Sequence, residues 1–231
     1  MKILIVGAMR TGGHYLGKRL SKKHNLFYLG EILNTFTHNK YLKNGYFDDV
    51  ETKIWLDICF NKFNTKICLE DTYLEKLNHY IFSELVAEFY LKVLERQENY
   101  VIKIIADSLH MDESASITFL CKYAKIVDKI YYTQRLNLMD QVVSLSVARK
   151  SGDWMENRDT FDKELSDDEL TDAYQLLIKQ YRILNNLYSQ YPGEVVTLEK
   201  QLEQKPYPNK FIYKGDWVLP KKFPLINEQT Y

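Results

Sequence analysis

The chain has 231 residues, of which 45% are apolar and 27% charged, so it can form one sizeable α/β domain with its own core and an ordinary charged surface. Lysine plus arginine and aspartate plus glutamate both number 31, which excludes a global charge that would attract nucleic acid or anionic lipid. Any basic site must therefore be local. Arg10 interrupts the N-terminal apolar run, so this run is too short for a signal peptide, and no later stretch could span a bilayer.

The three cysteines show no pattern typical of a metal site. Cys59, Cys68 and Cys121 have no C-x-x-C spacing and no nearby pair of histidines. This pattern predicts free thiols, no bound metal and no disulfide framework. Together with the missing signal peptide and membrane span, it predicts a cytoplasmic protein.

Strand-like and helix-like segments alternate along the chain. We predict, in order, a strand over 2–6, a helix over about 13–22, a strand over 25–29, a helix over 81–94, a strand over 100–105, a helix over 115–124, a strand over 129–133, a helix over 137–149, a long helix over 167–191 and a strand over 195–198. The alternation favours a single domain over 1–231, with a central parallel sheet flanked by helices. Residues 32–78 are predicted to be irregular and to form a substrate-facing insertion.

The segment between the first strand and the first helix is rich in glycine and reads Gly7-Ala8-Met9-Arg10-Thr11-Gly12-Gly13-His14-Tyr15. Such a loop directs backbone N–H groups and the positive end of a helix at one point, which suits a phosphate. In the triphosphate loop G-x-x-x-x-G-K-[ST], Gly13 would occupy the lysine position and His14 the position of the magnesium-binding hydroxyl. The loop therefore predicts phosphate binding without the usual handling of a magnesium triphosphate.

A second basic segment follows the strand predicted over 129–133. Arg135 stands at the end of this strand, and Ser144 lies nine residues later in the next helix. Ligands bind beyond the carboxyl ends of parallel strands, and an arginine with a serine hydroxyl could hold a phosphate there. Arg135 could instead pair with Asp140 or Asp128, and Ser144 could be a small packing residue. Two phosphate sites favour a nucleotide phosphorylated at both its 3′ and 5′ positions.

These segments resemble the sulfotransferases that use 3′-phosphoadenosine 5′-phosphosulfate (PAPS), in particular the bacterial branch that includes the trehalose sulfotransferases. The family's 5′ loop, P-[RK]-[ST]-G-[ST]-[ST]-x-L, is similar to residues 9–16. The branch's 3′ element, R-x-[ND]-x-x-x-Q-x-[VL]-S, is similar to residues 135–144, and its G-E-[PI]-x-[NF] turn is similar to residues 30–34. The three matches occur in the family's order over the first two-thirds of the chain.

The chain also departs from the family pattern. Gly13 and His14 replace the hydroxyl residues that hold the 5′-phosphate, and Met9 replaces the loop proline. Leu136 stands where many relatives have a second arginine. Lys103 matches a strand lysine of another branch, but the histidine that follows it there is missing, so Lys103 is either a sheet-edge lysine or part of the leaving-group site.

The resemblance implies a P-loop-NTPase-like sulfotransferase fold and an enzyme that transfers a sulfuryl group from PAPS to a hydroxyl, leaving 3′,5′-diphosphoadenosine. Because the donor carries the activated group, no metal is required. The residues implied to hold the 5′-phosphosulfate are Arg10 and the backbone amides of Thr11, Gly12, Gly13, His14 and Tyr15. Arg135 and Ser144 are implied to hold the 3′-phosphate.

The catalytic roles implied are those of charge stabiliser for Arg10 and general base for Glu31, with His14 as the rival base. We expect burial to raise the pKa of Glu31, which would suit a base. By analogy with the branch, the acceptor is a small molecule, a carbohydrate or a glycolipid. Relatives in this branch often dimerise, so a homodimer is among the expectations, although no heptad or apolar stripe in this sequence indicates one.

Two other functions compete with sulfuryl transfer. The first is a kinase of the triphosphate-loop superfamily that shares the sheet but uses ATP, against which the absent lysine and hydroxyl of the loop count. The second is a non-catalytic relative that binds a nucleotide or a protein partner, which the altered loop keeps open. Binding of 3′,5′-diphosphoadenosine without turnover would favour the second alternative.

Overall fold

The computed structural model describes residues 1–34, 38, 40–41, 44–63, 79–108, 111–152, 164–201 and 226. The described residues form one sheet of five parallel strands in the order β2-β3-β1-β4-β5. The strands are β1 (Lys2–Gly7), β2 (Phe27–Glu31), β3 (Tyr100–Ile105), β4 (Lys129–Gln134) and β5 (Glu194–Thr197). The predicted α/β class with a central parallel sheet is confirmed.

Helices cover both faces of this sheet. They are α1 (Gly13–His24), α2 (Asp49–Phe63), α3 (His79–Glu95), α4 (Glu113–Lys125), α5 (Leu138–Ser151), α6 (Asp167–Gln190) and α7 (Leu198–Gln201). Helix α6 begins at the capping box that its sequence predicts, in which Ser166 accepts from the backbone of Glu169 and the Glu169 carboxylate accepts from the backbone of Ser166.

The central strand β1 is buried on both faces. Leu4 and Val6 belong to the main core, which contains buried side chains of α3, α4, α5 and α6, whereas Ile3 and Ile5 pack with Leu16 of α1. A parallel strand covered on both sides needs apolar residues at every position. This explains why β1, β3 and much of β4 are apolar runs rather than alternating patterns.

The sheet order places the glycine-rich loop at the centre of one edge. β1 lies between β3 and β4, and its last residue, Gly7, pairs with Ile105 and with Thr133. The loop that follows is therefore flanked by the carboxyl ends of both neighbouring strands, where open α/β sheets bind their ligands.

The structure differs from the sequence prediction most clearly in two places. The second strand is Phe27–Glu31 rather than 25–29, because Asn25 ends α1 in the left-handed region at a φ of 54°. Helix α2 lies inside the segment predicted to be irregular, and its buried Trp55 and Ile58 pack with Phe89 of α3 in a second, smaller core. Cys68, Trp154 and the tail from Pro206 to 225 lie outside the described residues.

Candidate functional site

Two buried glutamines hold the start of the loop after β1. The Met9 N–H donates to Oε1 of Gln180 at 2.8 Å, and Nε2 of Gln141 donates to the Met9 carbonyl at 2.6 Å. Both glutamine side chains are fully buried. The next residue, Arg10, has a φ of 67°, a conformation that is costly for a residue other than glycine. The clamp on Met9 thus holds the loop in a shape that Arg10 would not adopt by itself.

The Thr11 side chain supports the loop from inside. Its hydroxyl donates to the Ala8 carbonyl at 2.8 Å and lies 2.7 Å from the hydroxyl of Thr133. Helix α1 then begins at Gly13, with Gly12 as N-cap at a φ of 76°, no side-chain cap and no acidic residue in the first turn. The first N–H groups of α1 therefore have no acceptor from a capping side chain, which is the arrangement that binds an anion.

Arg10 and Ser144 are brought together. The Arg10 Nε–H donates to Oγ of Ser144 at 3.1 Å, which joins the loop to helix α5. The sequence assigned these residues to two different phosphate positions, and the structure places their side chains in direct contact. Ser144 is almost completely buried, so this contact also restricts the position of the Arg10 guanidinium.

Arg135 lies deeper than Arg10. Its guanidinium donates from Nη2 to Oδ2 of Asp140 at 3.3 Å, and its backbone N–H donates to the hydroxyl of Tyr181 at 3.2 Å. The Arg135 and Asp140 side chains are only 8% and 9% exposed. The pairing with Asp140, which the sequence left open, is therefore present, and the 3′-phosphate role of Arg135 stays a prediction.

Lys103 of β3 lies directly over the first turn of α1. A Cβ added at Gly13 would come within 2.9 Å of Cε and 3.2 Å of Cδ of this lysine, so glycine leaves the room that the lysine stem fills. The Lys103 ammonium donates to Oε2 of Glu31 at 2.8 Å. A cation thus lies beside the residue that stands in the lysine position of the triphosphate loop, although it comes from another strand.

Glu31 is held as a carboxylate. Burial alone would raise its pKa, but His14 and Lys103 outweigh burial and lower the pKa from 4.5 to about 2. The Lys103 contact is short enough for a hydrogen bond, whereas the His14 Nε2 lies 3.6 Å from the same carboxylate oxygen. The pKa of Glu31 is therefore lowered and not raised as expected, because the sequence could not show that His14 and Lys103 converge on Glu31.

His14 contacts β2 through both of its ring nitrogens. Nδ1 lies 2.7 Å from the hydroxyl of Tyr28, and Nε2 faces Glu31. About half of the His14 side chain is exposed. Tyr15, the next residue of α1, is 49% exposed. The two strand residues give His14 a defined orientation at the mouth of the site.

A cleft of about 1680 Å³ opens beside the loop. Its walls include the four charged or titratable residues already described: Arg10, His14, Glu31 and Lys103. Farther out it is lined by aromatic residues, and those from the segment 32–78 are Tyr41, Tyr46 and Phe47. The position of these aromatic residues fits the predicted substrate-facing insertion, which stays a prediction.

Sequence reasoning did not find three of the residues that shape this site. Gln141 appeared only as a motif match, and Gln180 and Tyr28 gave no signal at all. A buried glutamine in the middle of an amphipathic helix is the one local sign that could have drawn attention to Gln180, because a buried amide needs partners. Lys103 was noticed as a lysine in an apolar strand, but its partner Glu31 could not be inferred.

Within the described ranges, no group of three or more His, Cys, Asp or Glu side chains is arranged to hold a metal ion. Among the helices of the same ranges, none combines the length and the apolarity needed to cross a membrane.

Comparison with known proteins finds only distant structural similarity. No protein-family model matches the chain, and no curated protein matches it. Solved structures that are similar include shikimate kinase from Bacteroides thetaiotaomicron, with 16% identity, a TM-score of 0.45 and coverage of 88% of this chain and 95% of the kinase. Shikimate kinase from Aquifex aeolicus has 17% identity, a TM-score of 0.42 and coverage of 88% and 90%. Similarity at this level carries no information about the reaction.

Proposed function

We propose that this chain is a sulfotransferase that moves a sulfuryl group from PAPS to a hydroxyl acceptor. The observation that carries the proposal is the hydrogen bond between Arg10 and Ser144, because it joins the two segments that resemble the family's phosphate elements. The position of both segments at the carboxyl end of the sheet supports the same function.

The residues around the loop fit the dianionic phosphosulfate of the donor. Arg10, Lys103 and the uncapped N-terminus of α1 supply positive charge on one side of the cleft. Gly12 and Gly13 let the backbone approach closely, and the Thr11 hydroxyl is used within the loop itself. PAPS, when bound, supplies the activated sulfuryl group. Arg135 contributes to the 3′ side from its buried position beside Asp140.

The chemistry that the chain must provide is positioning, charge stabilisation and proton acceptance. Glu31 accepts the proton that the acceptor hydroxyl loses as its oxygen bonds to sulfur. Arg10 and the loop N–H groups stabilise the charge that forms on the departing phosphate oxygen. A carboxylate with a pKa of about 2 is a weak base, so Lys103 must turn toward the anion before Glu31 can take up the proton. Because the same lysine contacts either the Glu31 carboxylate or the bound anion, donor binding would raise the basicity of Glu31.

Phosphoryl transfer is the second candidate, and one observation favours it. The Lys103 side chain lies over Gly13, the residue in the lysine position of the triphosphate loop, so a lysine from β3 could hold a β- or γ-phosphate. Against it, His14 stands where the magnesium-binding hydroxyl is needed, and the Thr11 hydroxyl is engaged with Ala8 and Thr133. Sulfuryl transfer needs neither of these groups.

Calorimetric titration separates the candidates. We would titrate 3′,5′-diphosphoadenosine, and ATP with Mg²⁺, into the wild type, Arg10→Met and Arg19→Met. Arg19 is an exposed arginine of α1 and serves as the matched control. We expect micromolar binding of the diphosphate, weakened about tenfold to a hundredfold in Arg10→Met and unchanged in Arg19→Met, because hydrogen bonds to a charged group contribute about 1.5–3 kcal/mol.

Each alternative predicts a different titration. Magnesium-dependent ATP binding without diphosphate binding would replace the sulfotransferase with a kinase. Diphosphate binding would then be followed by incubation with labelled PAPS and a panel of hydroxyl acceptors, including sugars and glycolipids. Binding with no transfer to any acceptor would favour the non-catalytic relative. Transfer to one class of acceptor would establish the reaction.

A further inference from the structure

The two ring nitrogens of His14 face partners of different kinds. Nδ1 lies 2.7 Å from the Tyr28 hydroxyl, and Nε2 lies 3.6 Å from the carboxylate of Glu31. A neutral imidazole carries one N–H and one lone pair, so it can present only one of each to these two partners. The contacts on the two sides therefore decide which role each nitrogen has.

The charge of Glu31 favours a proton on Nε2. Lys103 holds Glu31 ionised through the 2.8 Å contact, and an ionised carboxylate attracts an N–H and repels a lone pair. With the proton on Nε2, Nδ1 becomes the acceptor for the Tyr28 O–H. The opposite tautomer would direct the Nε2 lone pair at the carboxylate and is the less favourable arrangement.

Tyr28 is well placed to maintain this arrangement. Its ring packs against Gly17 of α1, where an added Cβ would lie 2.6 Å from the Tyr28 Cζ. Glycine at this position therefore leaves the space that the ring occupies. Burial and the nearby Glu31 raise the pKa of Tyr28, which keeps its hydroxyl protonated and able to donate. The ring also meets the His14 imidazole edge-on, at 84°.

We infer that Tyr28 is a positioning residue that fixes His14 as a hydrogen-bond donor, with its Nε2–H facing the cleft. This inference rests on the proposed sulfuryl transfer, and it resolves the rivalry between His14 and Glu31 for the role of base. Glu31 takes the proton of the acceptor hydroxyl, and the Nε2–H of His14 donates to an oxygen of the bound anion. His14 thus replaces the hydroxyl that the family pattern has at this position of the loop.

The direction of the Tyr28–His14 hydrogen bond can be measured on the free protein. ¹⁵N NMR of histidine-labelled chain, with His14→Asn to assign the signals among the five histidines, reports which ring nitrogen carries the proton. We expect an unprotonated, hydrogen-bonded Nδ1 and a protonated Nε2 in the wild type. In Tyr28→Phe the Nδ1 signal should move to the position of a free lone pair. Titration with inorganic sulfate or 3′,5′-diphosphoadenosine should shift Nε2 more than Nδ1.

Kinetics provides the second test. Tyr28→Phe should lower kcat/KM about five- to tenfold, the usual worth of one hydrogen bond, with part of the loss in donor binding, because the Nε2–H of His14 contacts the bound anion. Imidazole added to the buffer of His14→Gly should restore part of the turnover. Tyr131→Phe is the matched control, since it makes the same change on the same face of the sheet but on β4, which β1 and β3 separate from β2.

A protonated Nδ1 in the wild type would overturn the inference, as would unchanged ring signals or unchanged turnover in Tyr28→Phe. Failure of the proposed function would show separately, as absence of transfer by the wild type with every acceptor. The ring signals of the free protein would still decide the direction of the hydrogen bond in that case.

Discussion

Replacing Lys103 by methionine tests the central ion pair of the site. Methionine keeps most of the length and apolar character of the lysine stem but removes the ammonium that lies 2.8 Å from Glu31. The two side chains are only 11% and 19% exposed, so water screens the pair weakly. Glu31 would keep its burial and its contact with His14 but lose the Lys103 ammonium, so its pKa should rise from about 2 toward 4.5.

The size of the effect follows from this pKa. A carboxyl whose pKa falls from 4.5 in the unfolded chain to about 2 in the folded one contributes about 3 kcal/mol to stability at neutral pH. Because the folded pKa is the lower one, this contribution is complete above pH 4.5 and is lost as the pH falls through 2. Because His14 lowers the same pKa, Lys103→Met should remove only part of this contribution, about 1–3 kcal/mol at pH 7, and the difference from wild type should shrink below pH 4.5.

Urea unfolding between pH 2.5 and pH 7, combined with ¹³C titration of the Glu31 carboxyl, measures both quantities. Lys62→Met is the matched control, since Lys62 pairs with Glu84 at 2.9 Å but is 47% exposed. An exposed pair contributes less than about 1 kcal/mol, so this control should change little at any pH. The reasoning is refuted if Glu31 still titrates near pH 2 in Lys103→Met, or if both variants lose the same stability.

Three further predictions concern the loop and the second core. Gly13→Ala should weaken 3′,5′-diphosphoadenosine binding in calorimetry, because its Cβ would displace the stem of Lys103; unchanged affinity would contradict this. Gln180→Leu should cost about 1–3 kcal/mol in urea unfolding, because the Met9 N–H loses its acceptor, and a neutral result would mean that the loop is held otherwise. His38 is fully buried among aromatic rings, and within the part of the chain that the structure describes neither of its ring nitrogens has a hydrogen-bond partner. Burial lowers its pKa from 6.5 to about 3, so wild-type stability should fall from pH 6.5 to pH 3. His38→Phe should raise Tm and reduce that fall, and an equal pH dependence of both proteins would reject the explanation.

The sequence predicted the parts of the fold that local pattern determines. β3 was predicted with the bounds that the structure shows, because a strand buried on both faces is an uninterrupted apolar run. Helix α2 was missed because only a few buried residues, among them Trp55 and Ile58, stand out in a stretch rich in Asn, Lys and Asp. These few apolar residues suffice because α3 supplies the apolar surface on which they pack. Tertiary contacts of this kind leave no local signature in the sequence.

The candidate site was predicted as a set of positions but not as a network. The glycine-rich loop identified Arg10, and the strand end identified Glu31, because both lie at places that any open α/β sheet uses for ligands. The pairing of Glu31 with Lys103 spans 72 residues, and that of Arg10 with Ser144 spans 134. Spacing within one segment cannot report contacts at such separations, which is why the shift in the pKa of Glu31 was predicted in the wrong direction.

The glutamine clamp on Met9 makes the candidate site a late product of folding. Its two hydrogen bonds reach across 132 and 171 residues, from helices that follow most of the sheet in the chain. During synthesis, a chain that has emerged only as far as β4 has its glycine-rich loop but nothing to hold Met9, so Arg10 has no reason to adopt its costly conformation. Under the proposed function, ligand affinity reports completed assembly, and an anion bound at the loop would stabilise the docking of α6 although α6 need not touch it.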